Sequence, residues 1–452
     1  MDKLNQAAAG PPLAGDIRDD FIPANRWRDP EIPRLERERL WPRIWHIACR
    51  EEEIPAVGDY ATYEILDESI IVVRVAEDQI KAYYNACQHR GRRLVEPGRG
   101  HVSSFVCRFH GWSYGLDGAN RRVLHEEAWA HCPDFRKADL ALKEPRCDRW
   151  AGWVWVNMDP DAEPLSAWLG PVVELARPFA LEELRVAWRQ TIIAPVNWKV
   201  VIEAFHEGYH SGATHDSWVD YYDMHSPTQV FGNHAGFSGV FEKMPRMRRE
   251  GGEWTEATSL ADMLYYQSKE LHDCLHALVS TPLLRAMDRL RQEFPPGADE
   301  TLLFPRLLEL QREELEATGA KWPEGLTMEA IGAAGTNIHI IPNTIFLPSA
   351  DAVLWYRMRP HPKDADRCVF DIWSLNRYPQ GAAVQPIEHF AESFEAARGR
   401  NAFLEQDFSN MLAVNQGMRS RGWAGARTSP AEEATVTHFH RMLDRFYAMP
   451  PL

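Results

Sequence analysis

Two cysteines and two histidines, crowded into Asn85–Tyr114, are the residues of this sequence best equipped for chemistry. They stand in N-A-C-Q-H-R-G and, after a gap, in C-R-F-H-G-W-S-Y, so Cys87 pairs with His89 and Cys107 with His110. Two thiolates and two imidazoles suit either zinc or an iron–sulfur centre. The order within each pair separates the two, because each short loop offers one sulfur and one nitrogen. A [2Fe–2S] centre with one iron on two Cys and the other on two His draws one ligand per iron from each loop. Zinc sites more often pair Cys with Cys in one loop and His with His in another; a zinc knuckle is the competing reading. Gly91 and Gly111 follow the histidines, where backbone must pass close to a metal. Arg90 and Trp112 are placed to cover the site.

A second constellation lies in N-W-K-V-V-I-E-A-F-H-E-G-Y-H-S-G-A-T-H, Asn197 to His215. His210 and His215 are five residues apart, about 140° of helical rotation, so one continuous helix cannot aim both at one ion. Ser211-Gly212 offers a break that lets His215 swing round. A mononuclear non-haem iron takes two His and one carboxylate on one face and keeps other positions open. Asp407, in L-E-Q-D-F-S-N-M-L, is the candidate carboxylate. Its predicted helix has an apolar face including Phe403, Met411 and Val414, and a carboxylate beside such a face needs a partner. From the residues alone, two structural histidines and a solvated Asp407 stay open as readings. Glu405 is the alternative acid, on another helix face. Glu207, three residues before His210, shares a helix face with it, with a surface salt bridge as the plain alternative.

Composition limits the function classes. The chain has 452 residues, enough for two or three domains with a large core. Its net charge of −15, from 50 basic and 65 acidic side chains, argues against nucleic-acid binding, which wants a basic face. No apolar run reaches the roughly 18 residues of a membrane span, and Met1 to Gly15 lacks the basic-then-apolar order of a signal peptide. Seven cysteines show no paired framework. The five outside the two loops read as reduced, buried thiols of a cytoplasmic protein.

The elements that must position these residues follow from pattern. Residues 1–40 read as an arm and a short helix over Pro30–Leu40. From Trp45 the chain turns to short strands, Tyr60–Leu66, Ser69–Val75 and Ile80–Asn85, with turn residues between them. They build a small antiparallel β domain over 41–160, with the Cys/His loops at one end. Residues 161–452 form a larger α+β domain, an antiparallel sheet covered by helices. Its expected elements include a helix over Asn197–Tyr209, helices within 255–318, strands over Ala187–Ala194 and between Asn337 and Leu375, and helices over Pro386–Ala397 and Ala402–Met418.

C-Q-H-R-G-R-R-L, then C-R-F-H-G-W-S-Y and Asp117-Gly118, resembles the Rieske centre of ring-hydroxylating oxygenases, and the resemblance covers most of the chain. Respiratory Rieske proteins carry an additional cysteine in each loop, absent here. E-x-F-x-E-x-Y-H-x-x-x-x-H resembles the iron motif of the same family. The resemblance implies a Rieske-type [2Fe–2S] cluster on Cys87, His89, Cys107 and His110, and Fe(II) on His210, His215 and Asp407. It gives Glu207 the role of bridging the iron His to a Rieske His of a neighbouring subunit. It further implies O2 as co-substrate, electrons from NAD(P)H through a separate reductase and in some systems a ferredoxin, and a homotrimer with or without a small β subunit. Where the family commonly has Glu-Asn before the Phe, this chain has Glu203-Ala204-Phe205, and His206 replaces a more usual apolar residue.

The expected function is therefore the terminal oxygenase α subunit of a multicomponent system that hydroxylates an aromatic or hydrophobic compound. The alternative is a monooxygenase acting by oxidative O- or N-dealkylation. Two further readings compete: an electron-transfer Rieske protein without catalytic iron, and a hydrolase with zinc at both sites. Candidates for an apolar substrate pocket are Trp218, Tyr221, Tyr222, Met224, Phe231 and Phe237. Phe241, Met263, Ile338, Leu354 and Trp355 extend the set, though many of these are ordinary core material.

Overall fold

The structure is a computed structural model describing residues 17–215, 222–243, 246–248, 254–256, 259–275 and 277–452. The chain is α+β and divides into two compact units, Arg37–Trp168 with the last three residues, and Leu169–Met449 with the N-terminal residues to Glu36.

The smaller unit is built on β-branched sequence. Glu68–Ala76, whose centre reads Ile70-Ile71-Val72-Val73, pairs antiparallel with Asp59–Ile65 on one side and Gln79–Tyr84 on the other. All four of those centre residues are buried, so the strand reads as an apolar run rather than an alternation. A three-stranded sheet of Arg146–Trp150, Trp153–Asn157 and His46–Arg50 lies in the same unit. A smaller one joins Phe105–Val106, Ser113–Tyr114 and Asn120–Arg122. Ile71, Val73, Tyr83, Phe105, Trp112 and Tyr114 form a core that includes Cys87 and Cys107. The thiols thus sit on the core side of their loops.

The larger unit carries an eight-stranded sheet. In spatial order its strands are Thr228–Phe231, His234–Phe237, Asn337–Ile340, Thr344–Pro348, Ala352–His361, Asp364–Asn376, Arg185–Ala194 and Ile387–Ala391. Neighbours are antiparallel except the last pair. The helix Trp198–Glu203 packs on the strands Ala352–His361 and Asp364–Asn376, and Ala402–Gly417 packs against that helix and against Leu260–Leu275. In the N-terminal segment, Trp27 Nε1 donates to Glu203 (2.9 Å), and the buried Lys199 pairs with Glu36.

Several elements differ from the sequence expectation. The helix expected over Asn197–Tyr209 stops at Glu203, and the chain then turns through Ala204–Phe205. Pro386–Ala397 is not one helix: Ile387–Ala391 is an edge strand parallel to Arg185–Ala194, and a single helical turn starts only after Ser393. Ser393 Oγ accepts from the Ala396 N–H (3.1 Å), which fixes the helix start there and leaves the preceding residues to the sheet. The Pro30–Leu40 segment is split into Glu31–Leu35 and a wider π turn. The helix Ala434–Tyr447, unanticipated, buries Val436, Phe439, Leu443 and Phe446. Of the cysteines read as buried thiols, Cys49 and Cys368 are buried, but Cys132 is exposed and Cys147 half-buried; the Cys274 side chain lies outside the described residues.

Candidate metal centres

The two Cys/His loops of the smaller unit share one backbone design. In each, the Cys carbonyl accepts from the Gly N–H four residues on, and the Cys N–H donates to the carbonyl five residues on. These bonds are Gly91 to Cys87 (2.8 Å), Cys87 to Arg92 (2.9 Å), Gly111 to Cys107 (2.9 Å) and Cys107 to Trp112 (2.8 Å). Gly91 and Gly111 have φ of +74° and +70°. That left-handed backbone conformation is one that glycine adopts without strain. The histidine is displaced by one residue between the loops, and this turns the two rings toward each other. The Nδ1 atoms of His89 and His110 stand 3.1 Å apart.

Trp112 stacks on His89, with centroids 4.7 Å apart and planes 12° apart. Arg90 reaches over the Phe109 ring, which packs against His110 with centroids 3.8 Å apart. Tyr114, which sequence reading gave no role, places its hydroxyl 3.3 Å from Cys87 Sγ and accepts from the Gln88 N–H. Burial raises the Cys87 thiol pKa, with Cys107 close by adding to the rise. Burial lowers the pKa of His89, helped by His110. This donor set fits a [2Fe–2S] cluster better than zinc. Four ligands of one zinc ion lie within about 3.8 Å of each other, whereas no three atoms of this quartet form a set within 4.8 Å. A sulfur pair and a nitrogen pair, held apart, suit two irons.

In the larger unit, His210, His215 and Asp407 come together, with one ligand atom from each within 4.8 Å of the others. It is the one such set of three or more donors among the described residues. Asp407 Oδ1 lies 3.4 Å from His210 Nε2 and 3.5 Å from His215 Nε2. Donors on one ion with bonds of about 2.1 Å stand roughly 3.0 to 3.4 Å apart, so the spacing fits a single metal. Ser211-Gly212 is not the break that was expected. Both residues lie in the helical turn Ser211–Thr214, and His215 swings out by leaving the helix, at φ −99° and ψ 81°.

Each ring is gripped at its other nitrogen. His210 Nδ1 donates to Glu207 Oε1 (2.7 Å), and Glu207 Oε2 accepts from the His210 backbone N–H (2.9 Å). Glu207 therefore meets His210 not across a helix face but as a carboxylate closing the start of the next helical turn. His215 Nδ1 lies 2.8 Å from Gln406 Oε1, and its ring stacks on Phe403 at 4.0 Å. Gln406 was not singled out in sequence. Glu405 turns away, accepting from Gly399 N (2.7 Å) and Asn401 N at the helix start. Asp407 is 3 % exposed, on a helix face with Leu404, Phe408 and Met411, while Val414 is exposed.

Burial works against a cation at His210, but hydrogen bonds with Asp407 and Glu207 outweigh it and push its pKa up to about 10. At His215 burial prevails and lowers the pKa, with Asp407 opposing. A cavity of about 460 Å³ opens beside His210, with Glu207, Glu203, Glu433 and Asp407 on its wall.

Of the substrate-pocket candidates, Trp218 and Tyr221 lie outside the described residues, as do the side chains of Tyr222, Met224 and Phe241. Ile338, Leu354 and Trp355 are fully buried in the sheet.

Comparison with known proteins fits this geometry. Residues 181–449 match the ring-hydroxylating alpha subunit catalytic domain, and residues 44–133 the Rieske [2Fe-2S] domain. The carnitine monooxygenase oxygenase subunit of Escherichia coli K12 is 32% identical over 203 residues, which cover 44% of this chain and 53% of the relative. The anthranilate 1,2-dioxygenase large subunit of Acinetobacter baylyi is 33% identical over 206 residues, covering 44% of this chain and 43% of the relative. The matched stretch thus spans about half the length of these relatives.

Among solved structures, the quaternary ammonium Rieske monooxygenase CntA in complex with L-carnitine superposes with a TM-score of 0.63 at 17% identity, covering 95% of this chain and 96% of that one. Naphthalene 1,2-dioxygenase from Rhodococcus sp. gives 0.61 at 21%, covering 95% of each chain. At these identities the superpositions speak for the fold. The two domain matches, one of them spanning more than half of the sequence, settle the family: this chain belongs to the ring-hydroxylating oxygenase alpha subunits, with a Rieske [2Fe-2S] domain preceding the catalytic domain.

Proposed function

We propose that the chain is the terminal oxygenase of a multicomponent Rieske system in the cytoplasm. It would take electrons from NAD(P)H through a separate reductase, with or without a ferredoxin, and use O2 to oxidise a small hydrophobic or aromatic substrate. The observation that carries this reading is the convergence of His210 Nε2, His215 Nε2 and Asp407 Oδ1 on one point. In this reading those three residues hold Fe(II), and Cys87, His89, Cys107 and His110 hold the [2Fe–2S] cluster. A mononuclear iron with open positions supplies O2 activation, and the cluster supplies electrons one at a time.

The chain's own residues suit the transfer of electrons between subunits. His89 and His110 face each other through Nδ1, which leaves each Nε2–H on the outer edge of its ring, free to donate outward. On the catalytic unit the cavity beside His210 presents Glu207, an acceptor already bonded to the iron-site imidazole. A carboxylate there can take a second proton donor and fix both tautomers. We therefore favour a head-to-tail trimer, α3 or α3β3, in which one chain's cluster serves its neighbour's iron.

Glu207→Gln tests the arrangement. It should leave both metals loaded and cluster reduction by the reductase unchanged, yet slow single-turnover reoxidation of the cluster with substrate and O2. Wild-type reoxidation, or full activity in a monomer, would refute it. Oxidative N-dealkylation is the second reading for the chemistry, favoured by the carnitine and glycine betaine monooxygenases among the relatives. Incubation of the reconstituted system under 18O2 with aromatics and quaternary amines separates the two. A labelled ring product supports hydroxylation, whereas aldehyde release supports dealkylation.

A further inference from the structure

The two imidazoles of the candidate iron site are held by chemically different partners. His210 Nδ1 meets the Glu207 carboxylate at 2.7 Å, while His215 Nδ1 meets the Gln406 side-chain amide at 2.8 Å. His215 is 2 % exposed, so solvent does not offer its ring an alternative partner. Phe403 stacks on the ring with planes 11° apart, which restrains its tilt. Phe403, Gln406 and Asp407 all belong to the helix Ala402–Gly417. One helix therefore brings a carboxylate to His215 Nε2 and an amide to its Nδ1.

We infer that Gln406 is a positioning residue for His215: its Oε1 accepts the Nδ1–H and fixes the tautomer whose Nε2 lone pair faces His210 and Asp407. The inference rests on reading His210, His215 and Asp407 as the iron ligands. Imidazole carries one proton in its neutral form, so a donor bond at Nδ1 is what frees Nε2. An amide turned the other way would donate to Nδ1, leave the proton on Nε2 and block the metal. An acceptor of either charge meets the requirement. The amide meets it without adding a third carboxylate to a buried site that already holds Asp407 and Glu207, where further like charge is costly.

The test compares Gln406→Leu, which cannot accept, with Gln406→Glu, which has the same shape and can only accept. Mononuclear iron is removed with a mild chelator, the cluster is kept, and Fe(II) binding is measured by equilibrium dialysis. Gln406→Leu should bind about 10–100-fold more weakly than wild type, the usual loss for an orienting partner of a ligand, and Gln406→Glu should restore binding to within about threefold. The cluster's visible spectrum and the thermal midpoint report folding; if Gln406→Leu fails to fold, Gln406→Met, of similar length and without an oxygen, takes its place. Unchanged affinity in Gln406→Leu, or equal weakening in both variants, overturns the inference. Asp407→Ala run alongside keeps the two claims apart. If wild type and Asp407→Ala bind Fe(II) alike, the ligand assignment itself fails; if only Asp407→Ala loses it, the role of Gln406 alone fails.

Discussion

Replacing His206 by Phe should make the catalytic unit less sensitive to acid. His206 is fully buried, its ring stacks on His339 at 4.5 Å, and it lies 4.9 Å from Phe439. Neither ring nitrogen of His206 or of His339 has a hydrogen-bond partner among the described residues. Burial lowers the His206 pKa from 6.5 to about 3, with His440 and His438 adding repulsion. His339 and His440 are lowered too, chiefly by burial.

The sign follows from linkage. Below pH 6.5 the unfolded chain takes up a proton that the folded chain refuses, so stability falls as the pH drops toward 3. At pH 5 the two pKa values give a loss of about 2 kcal/mol from His206 alone, at 1.36 kcal/mol per pKa unit, and almost none at pH 8. Glu203, raised by burial to about 8 and hydrogen-bonded to His440 and Trp27, shifts stability the opposite way. Its contribution cancels when the two proteins are compared at each pH. Phe keeps the aromatic stacking and removes two unpaired nitrogens, so it should cost little at pH 8. The assay is the thermal midpoint of wild type and His206→Phe from pH 8 to pH 5. The variant should gain about 5 °C on wild type across that range, from about 2 kcal/mol at some 2–4 °C each. Parallel curves would show that His206 is already partnered and titrates normally.

Further outcomes follow from the two centres. Cys107→Ser should bleach the visible absorption and the reduced-state EPR signal of the cluster; a protein keeping both would remove Cys107 from the ligand set. Asp407→Ala should lose mononuclear iron and turnover but keep the Rieske spectrum. Glu405→Ala should keep the iron and lose only the bonds at the helix start, about 1 kcal/mol in a denaturant titration. If the iron instead follows Glu405, the wrong acid has been chosen.

Local chemistry made much of this legible in the sequence. The Cys/His order, the two glycines and the short β-branched strands are all written within a few residues of where they act. The strands from Asn337 to Asn376 were readable for the same reason, as apolar runs between turns. What escaped depends on partners distant in sequence. Ile387–Ala391 looks helical until Arg185–Ala194 is there to pair with it. Glu207 meets His210 as expected, but through a turn that periodicity does not foresee. Gln406 entered the sequence reading only as the Gln-Asp context of Asp407, and its own bond cannot be read there, because His215 arrives from a segment far up the chain.

The same separation in sequence sets an order of assembly. The four donors of the smaller unit all emerge within Cys87–His110. If His210, His215 and Asp407 hold the iron, that site cannot close until the ribosome has passed Asp407, long after His215. At about 5–20 residues per second that interval is roughly 10–40 s. For that time the two imidazoles stand without their carboxylate, their amide or the Phe403 ring, all of which arrive together on one late helix. On this assignment the cluster on Cys87, His89, Cys107 and His110 can be inserted into a nascent chain, whereas iron binding waits until the helix Ala402–Gly417 has been made and docked.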